Sequence, residues 1–393
     1  MSGPESSAPE PGKSSPTLAD VIRQFSPDYL RDRKGRIPAS HLAVLKAIAQ
    51  CRTPVMGGHR YRCSECGFEH YVYHACRNRH CPQCQKLDQQ KWLQARLKEL
   101  LPIKYFHVTF TIPSSLHPIF LNFPKEAYSL LFKASSQTLI EFGKNNLGAK
   151  LGLIGLFHSW GQKLNFHPHI HYLVTCGGLS LDREEWVEGQ PNFLFPKGAL
   201  QKVFRAKLIA ALDRAPWLDD SWKPSILKAK AKTWSVDIRR PRGDPRRLLL
   251  YLARYTYRVA IDDQRILAID RDQQRVLIRY KNYSKDGALQ TLWLPAVEFI
   301  RRFLMHVLPK GFVKVRYYGL FAHAHRKDLL ECCRQKLQAQ GLITHPTLWS
   351  LQALLATIEI PAPSIRCPRC KRGILELIGV IPPRYTDHPE KPP

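Results

Sequence analysis

The chain is short of acid for its size: 32 Asp+Glu stand against 60 Lys+Arg, leaving a formal net charge of +28 over 393 residues. A deficit that large points to a polyanionic partner, nucleic acid before a membrane surface. Long apolar runs are also missing. No stretch approaches about eighteen consecutive apolar residues, so no transmembrane helix is expected. The opening MSGPESSAPEPGKSSP has no apolar core, so residues 1–16 read as a disordered polar tail and not a signal peptide. No GxxxxGK[ST] motif occurs, which leaves no P-loop for nucleotide hydrolysis.

Cysteine, by contrast, is plentiful. Six of the 11 (Cys51, Cys63, Cys66, Cys76, Cys81 and Cys84) fall within 34 residues, and Cys367 and Cys370 form a further pair. Disulfide scaffolds of such density are short secreted chains, whereas this cluster sits in a long basic one without an export signal. Zinc in a reducing cytoplasm, close to the nucleoid, is the better reading. The Cys63-x-x-Cys66 and Cys81-x-x-Cys84 turns have the spacing of a four-thiolate zinc site. Cys51, His59, Cys76 and His80 remain for a second zinc, so one or two structural zinc ions are expected. The CPRC pair has no second CxxC near it and would need Cys332, Cys333 or a histidine.

The length suggests two or three domains, at roughly 100–200 residues each, and the 44% hydrophobic content is enough to build their cores. We expect helical and zinc-binding sequence over 17–100, a larger domain over 101–330 and an extension with the CPRC pair over 331–393. Helical spacing runs through 17–50, broken by RDRKGR, and again through 85–100. From Ile103 the period changes to two, with Phe106, Val108, Phe110 and Ile112 on one face. Residues 125–146 read as a helix. Two strands follow at 154–162 and 167–175, joined by a KLNF turn, then a strand at 233–238. A helix is expected at about 246–257, short strands across 264–295 and a helix at 296–307. The last thirty residues, proline-rich, are expected to be loosely structured.

The sharpest feature is FHPHIHYLV (166–174). On a strand, His169 and His171 project to one face and can chelate one cation. Gln162, at the end of the preceding strand, comes near them in a hairpin and can supply a third ligand, with His167 as its rival. Gln and two imidazoles make a mixed site suited to Mg²⁺ or Mn²⁺. Downstream, YLARYTYRVAI places Tyr251 and Tyr255 four apart on one helical face, with Arg254 and Arg258 beside them and Tyr257 as a third tyrosine. A phenol is a usable nucleophile at phosphorus when a cation polarises the scissile phosphate. The preceding stretch, 222–258, carries eleven Lys/Arg against two Asp, with Arg239, Arg240, Arg242, Arg246 and Arg247 clustered as candidate DNA contacts.

HIH followed by a YxxxY helix resembles the HUH (histidine–hydrophobic–histidine) endonucleases, and more closely the two-tyrosine rolling-circle transposases of the ninety-one insertion-sequence family. Five ordered blocks carry the likeness: CRNRHCPQCQ, YFHVTFTIP, HSWGQKLNFHPHIHYLV, YLARYTYRVAI and RRFLMHVLPKGFVKVRYYGLFAHAHR. The resemblance implies an α+β chain, with a small zinc-binding domain before a ferredoxin-like (RRM-like) antiparallel-sheet nuclease domain. It implies an enzyme that cleaves and joins single-stranded DNA at element ends and target, through a 5′-phosphotyrosine on Tyr251 or Tyr255. Host replication proteins would supply the displaced strand. Plasmid replication initiators and relaxases share that chemistry. A non-enzymatic zinc-finger regulator would leave Gln162, His169, His171 and the tyrosine pair idle.

Overall fold

The computed structural model describes residues 15–33, 36–240, 260–342 and 365–384. Its fourteen described strands run β1 (Gly58–Cys63), β2 (Glu69–Tyr73), β3 (Tyr105–Thr111), β4 (Ala149–Lys150), β5 (Gly152–Trp160), β6 (Phe166–Thr175), β7 (Gly177–Ser180), β8 (Trp186–Glu188), β9 (Ser235–Arg239), β10 (Ile266–Asp270), β11 (Arg275–Asn282), β12 (Ala288–Pro295), β13 (Val315–Gly319) and β14 (Leu375–Ile381). The architecture is mixed α and β, and every strand pair is antiparallel.

The central sheet has the order β13-β5-β6-β3-β9. Helix Pro124–Leu147 connects β3 to β5, and helix Lys197–Asp213 lies between β6 and β9. Four of its strands therefore follow a β-α-β-β-α-β path, with β13 added at one edge. The first of these helices starts on Pro124 and stops on Gly148, whose φ of 66° lets its N–H reach Lys144 O at 3.2 Å.

The pleat divides the sheet's side chains between two environments. Phe106, Val108 and Phe110 of β3, with Ile170, Tyr172 and Val174 of β6, pack under the two helices in the largest core. On the opposite face, Tyr105, Leu173 and Ile154 are covered by Leu93, Leu101, Phe321 and Leu329. That cover takes in only one end of the face. The other end carries His107, His158, His169 and His171 and opens into a cleft.

The β5–β6 turn is longer than the sequence suggested and closes earlier. Gly161 N donates to Asn165 O at 2.9 Å, and Leu164 takes a left-handed φ of 58° inside it. Gln162 thus leaves the strand for the turn. The strand expected over 233–238 is β9, and the strands expected over 264–295 are the β10–β12 meander. The helix expected at 246–257 lies outside the described residues.

The N-terminal helices share a core with distant sequence. Thr17 caps helix Leu18–Asp32 through a capping box with Asp20, and Leu18 N donates to Asp263 Oδ1 at 2.8 Å. Leu18, Val21, Ile22 and Phe25 pack with Ile278, Phe299 and Phe303. Residues 365–384, within the stretch expected to be loose, instead form a turn and β14, which pairs with β1 in the order β14-β1-β2. Phe299 is fully buried between the N-terminal helices and the β10–β12 meander. Phe299→Ala should cost about 3–5 kcal/mol in urea unfolding; a loss under about 1 kcal/mol would mean that the N-terminal helices do not depend on the meander.

Candidate functional site

Strand register builds the site. His158 of β5 lies directly opposite His169 of β6, and His171 lies opposite Thr109 of β3. A register shift between His158 and Trp160 lets the turn close while keeping His158 on the histidine face. Ligand atoms of His158, His169 and His171 all fall within 4.8 Å of one another, and all three side chains are buried. His169 Nδ1 lies 2.6 Å from the His167 carbonyl oxygen. It donates there, which leaves Nε2 as the free donor of a lone pair. His171 Nδ1 meets His107 Nε2 at 2.9 Å and Thr109 Oγ1 at 3.1 Å, so its Nε2 is turned toward the other two rings. His107 stacks on His171 with ring centroids 5.0 Å apart. Burial pushes His169 down to about 3 and His107 to about 4, and takes His171 well below the ordinary imidazole range. Neutral imidazoles are the form that ligates a cation, so the donor set fits a divalent ion.

A cleft of about 500 Å³ opens over the trio, walled by Gln162, Lys163, Asp237, Arg239, Lys281 and Tyr283 among others. Gln162 sits on its rim. Its carboxamide oxygen accepts from Lys281 N at 3.4 Å and its amide faces Tyr283 OH at 3.5 Å. The third side chain that the structure brings to His169 and His171 is therefore His158. His167 contributes its carbonyl oxygen to His169. Arg239 is exposed in the cleft and bonded to Asp237 at 2.7 Å, and Arg240 is exposed beside it. Tyr251, Tyr255, Arg242, Arg246, Arg247, Arg254 and Arg258 lie outside the described residues.

The cysteines group differently from their spacing. Cys51, Cys76, Cys81 and Cys84 form one four-sulfur cluster, and Cys63 and Cys66 join Cys367 and Cys370 in another. The structure thus separates Cys63 and Cys66 from Cys81 and Cys84. The reason is the β1–β2 hairpin: Cys51 and Cys76 flank its open end, while Cys63 and Cys66 sit at its tip, five or six residues and hence roughly 17–20 Å away. In the first cluster Cys51 Sγ lies 3.5 Å from Cys84 Sγ and 3.7 Å from Cys81 Sγ, and Cys76 lies 3.6 Å from Cys84. Four thiolates about 2.3 Å from a zinc ion have edges of about 3.8 Å, so the cage fits the metal. His80 is not part of it: burial lowers it to about 3, and its Nε2 accepts from Leu308 N at 3.4 Å. His59 packs edge-on against His74 with centroids 5.1 Å apart. Cys332 faces Arg183 O and Cys333 is buried in the core, so neither completes the CPRC pair.

A family model described as "Transposase zinc-binding domain" (Zn_Tnp_IS91) matches residues 21–112, and one described as "Putative transposase" (Y2_Tnp) matches 152–328. The "Putative transposase y4qJ" of Sinorhizobium fredii is 33% identical over 397 residues, spanning 95% of this chain and 99% of that relative. The chain belongs to the IS91 family of transposases. The "Transposase for insertion sequence element IS801" of Pseudomonas savastanoi pv. phaseolicola is 28% identical over 295 residues, 71% of this chain and 70% of that one. No solved structure matches the transposase.

The zinc-binding match covers Cys51, Cys76, Cys81 and Cys84, so the transposase carries a zinc-binding domain whose cysteine cage the structure displays. None of its described helices is long and apolar enough to cross a membrane. Two residues escaped the sequence reading, His158 and His107. Each stands on the correct strand parity, but only the pairing of β5 and β3 with β6 brings them to the HIH strand.

A further buried histidine ties the transposase's turn to its late helix. His306 Nδ1 lies 3.2 Å from Ser159 Oγ, and Nε2 lies 3.2 Å from Leu164 O. Burial pushes its pKa down to about 4. A depressed folded-state value means stability is full above the unfolded pKa and falls as pH drops through about 6.5 toward about 4. The urea midpoint should fall over that range, and His306→Asn should make the fall shallower. A midpoint equally steep in the variant would exclude His306 as a contributor.

Proposed function

We propose that the transposase cuts and rejoins single-stranded DNA at the ends of its element by metal-dependent tyrosine transesterification. The buried trio His158, His169 and His171, under a cleft with basic walls, carries this reading. The β-α-β-β-α-β path of the central sheet supports a ferredoxin-like (RRM-like) nuclease domain of the HUH type. Three imidazoles form a more nitrogen-rich set than Gln and two imidazoles, which favours Mn²⁺ over Mg²⁺ as the resident ion. When bound, the ion polarises the scissile phosphate and offsets charge developing on its oxygens.

The chain's own groups do the rest. Tyr251 or Tyr255 gives up its phenolic proton, and its oxygen forms a bond to phosphorus. The bond from phosphorus to the 3′ oxygen breaks, and that oxygen leaves with the electron pair and takes a proton. The products are a 5′-phosphotyrosine and a free 3′-OH, which host replication proteins can extend. The phosphodiester energy stays in the tyrosine link, in keeping with the lack of a P-loop. The second tyrosine can then receive the next strand. Arg239, Lys163 and Lys281 in the cleft hold backbone phosphates, and Tyr283, 68% exposed at its edge, offers a face for an unpaired base to stack on. His107 keeps His171 oriented. The zinc cage folds a module too small to build a core of its own. A zinc-finger regulator would have no use for a buried histidine trio beneath a cleft.

The test is incubation of purified transposase with element-end single strands and Mn²⁺. A covalent protein–DNA adduct should form, and the Tyr251→Phe/Tyr255→Phe double variant should yield none. An adduct from that variant would place the nucleophile elsewhere, and no adduct from the wild type would favour the regulator. A second comparison concerns the third ligand. His158→Ala should reduce cleavage at least about 100-fold, and Gln162→Ala less than about tenfold. The reverse order would restore Gln162 to the metal, and an undiminished rate in EDTA would remove the metal altogether.

A further inference from the structure

We infer that Cys63, Cys66, Cys367 and Cys370 form a second zinc site, which clasps the C-terminal segment to the N-terminal zinc-binding module. This goes beyond the cleavage reading and does not depend on it. The family's zinc-binding match ends at residue 112, so half of this ligand set lies far outside it. The four sulfurs come together across more than 300 positions: Cys63 Sγ is 3.6 Å from Cys370 Sγ, and Cys66 Sγ is 3.7 Å from Cys367 Sγ. Those separations are too long for a disulfide, at about 2.05 Å, and match the edge of about 3.8 Å expected of four thiolates around zinc.

The two CxxC turns are built alike. Gly67 N donates to Cys63 O at 3.2 Å, and Lys371 N donates to Cys367 O at 3.0 Å. Gly67 and Lys371, each four residues beyond the first cysteine of its turn, take left-handed φ values of 67° and 63°. Such turns aim backbone N–H groups at sulfur. Glu65 N and Cys66 N point at Cys63 Sγ at 3.4 and 3.5 Å, and Gly373 N points at Cys370 Sγ at 3.4 Å. These dipoles offset thiolate charge, which an inert thiol pair does not require.

The turns are also fitted to each other. Ser64 N donates to Ile374 O at 2.9 Å, and Ile374 N donates to Ser64 Oγ at 3.1 Å. A Cβ on Gly373 would stand 2.4 Å from Cys63 Sγ, so only glycine permits this approach. β14 then continues along β1 from Leu375, opposite Cys63, to Ile381, opposite Gly58. Neither pair can close a tetrahedron alone, since each supplies two of four ligands. Binding joins one zinc ion to four sulfurs as the thiols release up to four protons.

The experiment counts zinc in the reduced full-length chain by elemental analysis. Wild type should hold two equivalents. Cys367→Ser/Cys370→Ser should hold one, Cys63→Ser/Cys66→Ser should hold one, and the fourfold variant should still hold one, because both pairs serve the same ion. Two equivalents in the Cys367→Ser/Cys370→Ser variant, none in the fourfold variant, or one in the wild type would overturn the site. X-ray absorption at the zinc edge of the wild type needs no variant to fold. It should show a shell of sulfur alone, and a nitrogen neighbour would overturn the assignment by bringing in a histidine.

Discussion

The register of β5 on β6 is the constraint on which the rest of the site depends. Because side chains alternate across a strand, a slip of one residue would send the histidines into the aromatic core and Phe157 and Ile170 into the cleft. That slip is resisted from below: Phe157, Ile170, Tyr172 and Val174 are fully buried under the helices. Tyr172, whose burial would otherwise strand its hydroxyl, pairs with Ser135 Oγ at 2.8 Å. The packing of one face thus holds the imidazoles of the other. Chemistry on a rigid sheet is positioned more sharply than chemistry on loops.

The zinc-binding end shows a related economy of long-range contacts. One hairpin carries two cysteine clusters, one at its open end and one at its tip, and each recruits partners from a different part of the chain. The first is closed by Cys81 and Cys84 nearby in sequence. The second is closed by residues that follow the central sheet, the meander and helix Arg326–Ala339 in the chain. Helix Leu18–Asp32 packs on the meander and β14 pairs with β1, so the N-terminal module is held by two distant parts of the chain.

Much of this was legible in the residues. The two-residue period of 103–112, the HIH strand and the CxxC turns each announce themselves over a short window, where local geometry decides the outcome. What failed to show was pairing. A turn placed at KLNF sets Gln162 beside His167; the actual turn, over 161–165, sets His158 opposite His169. Starting the turn two residues earlier leaves Gln162 on the cleft rim and brings His158 beside His169 and His171. The cysteine partition was hidden for the same reason, since spacing along the chain takes no account of how far a hairpin separates its ends. Residues 365–384, expected to be loose, are ordered: the proline content of CPRC and its surroundings is local, while the β1 edge that pairs with β14 lies some 300 residues away.

The central claim is that three imidazoles from one sheet face hold a single divalent ion where DNA is cut. Pulsed electron paramagnetic resonance of Mn²⁺ bound to the transposase reads this directly, through modulation from directly coordinated imidazole nitrogen. The account predicts nitrogen from three histidines in the wild type and from two in His158→Ala. Bound Mn²⁺ that shows only oxygen ligands, or a nitrogen count unchanged when His158 is removed, would contradict it.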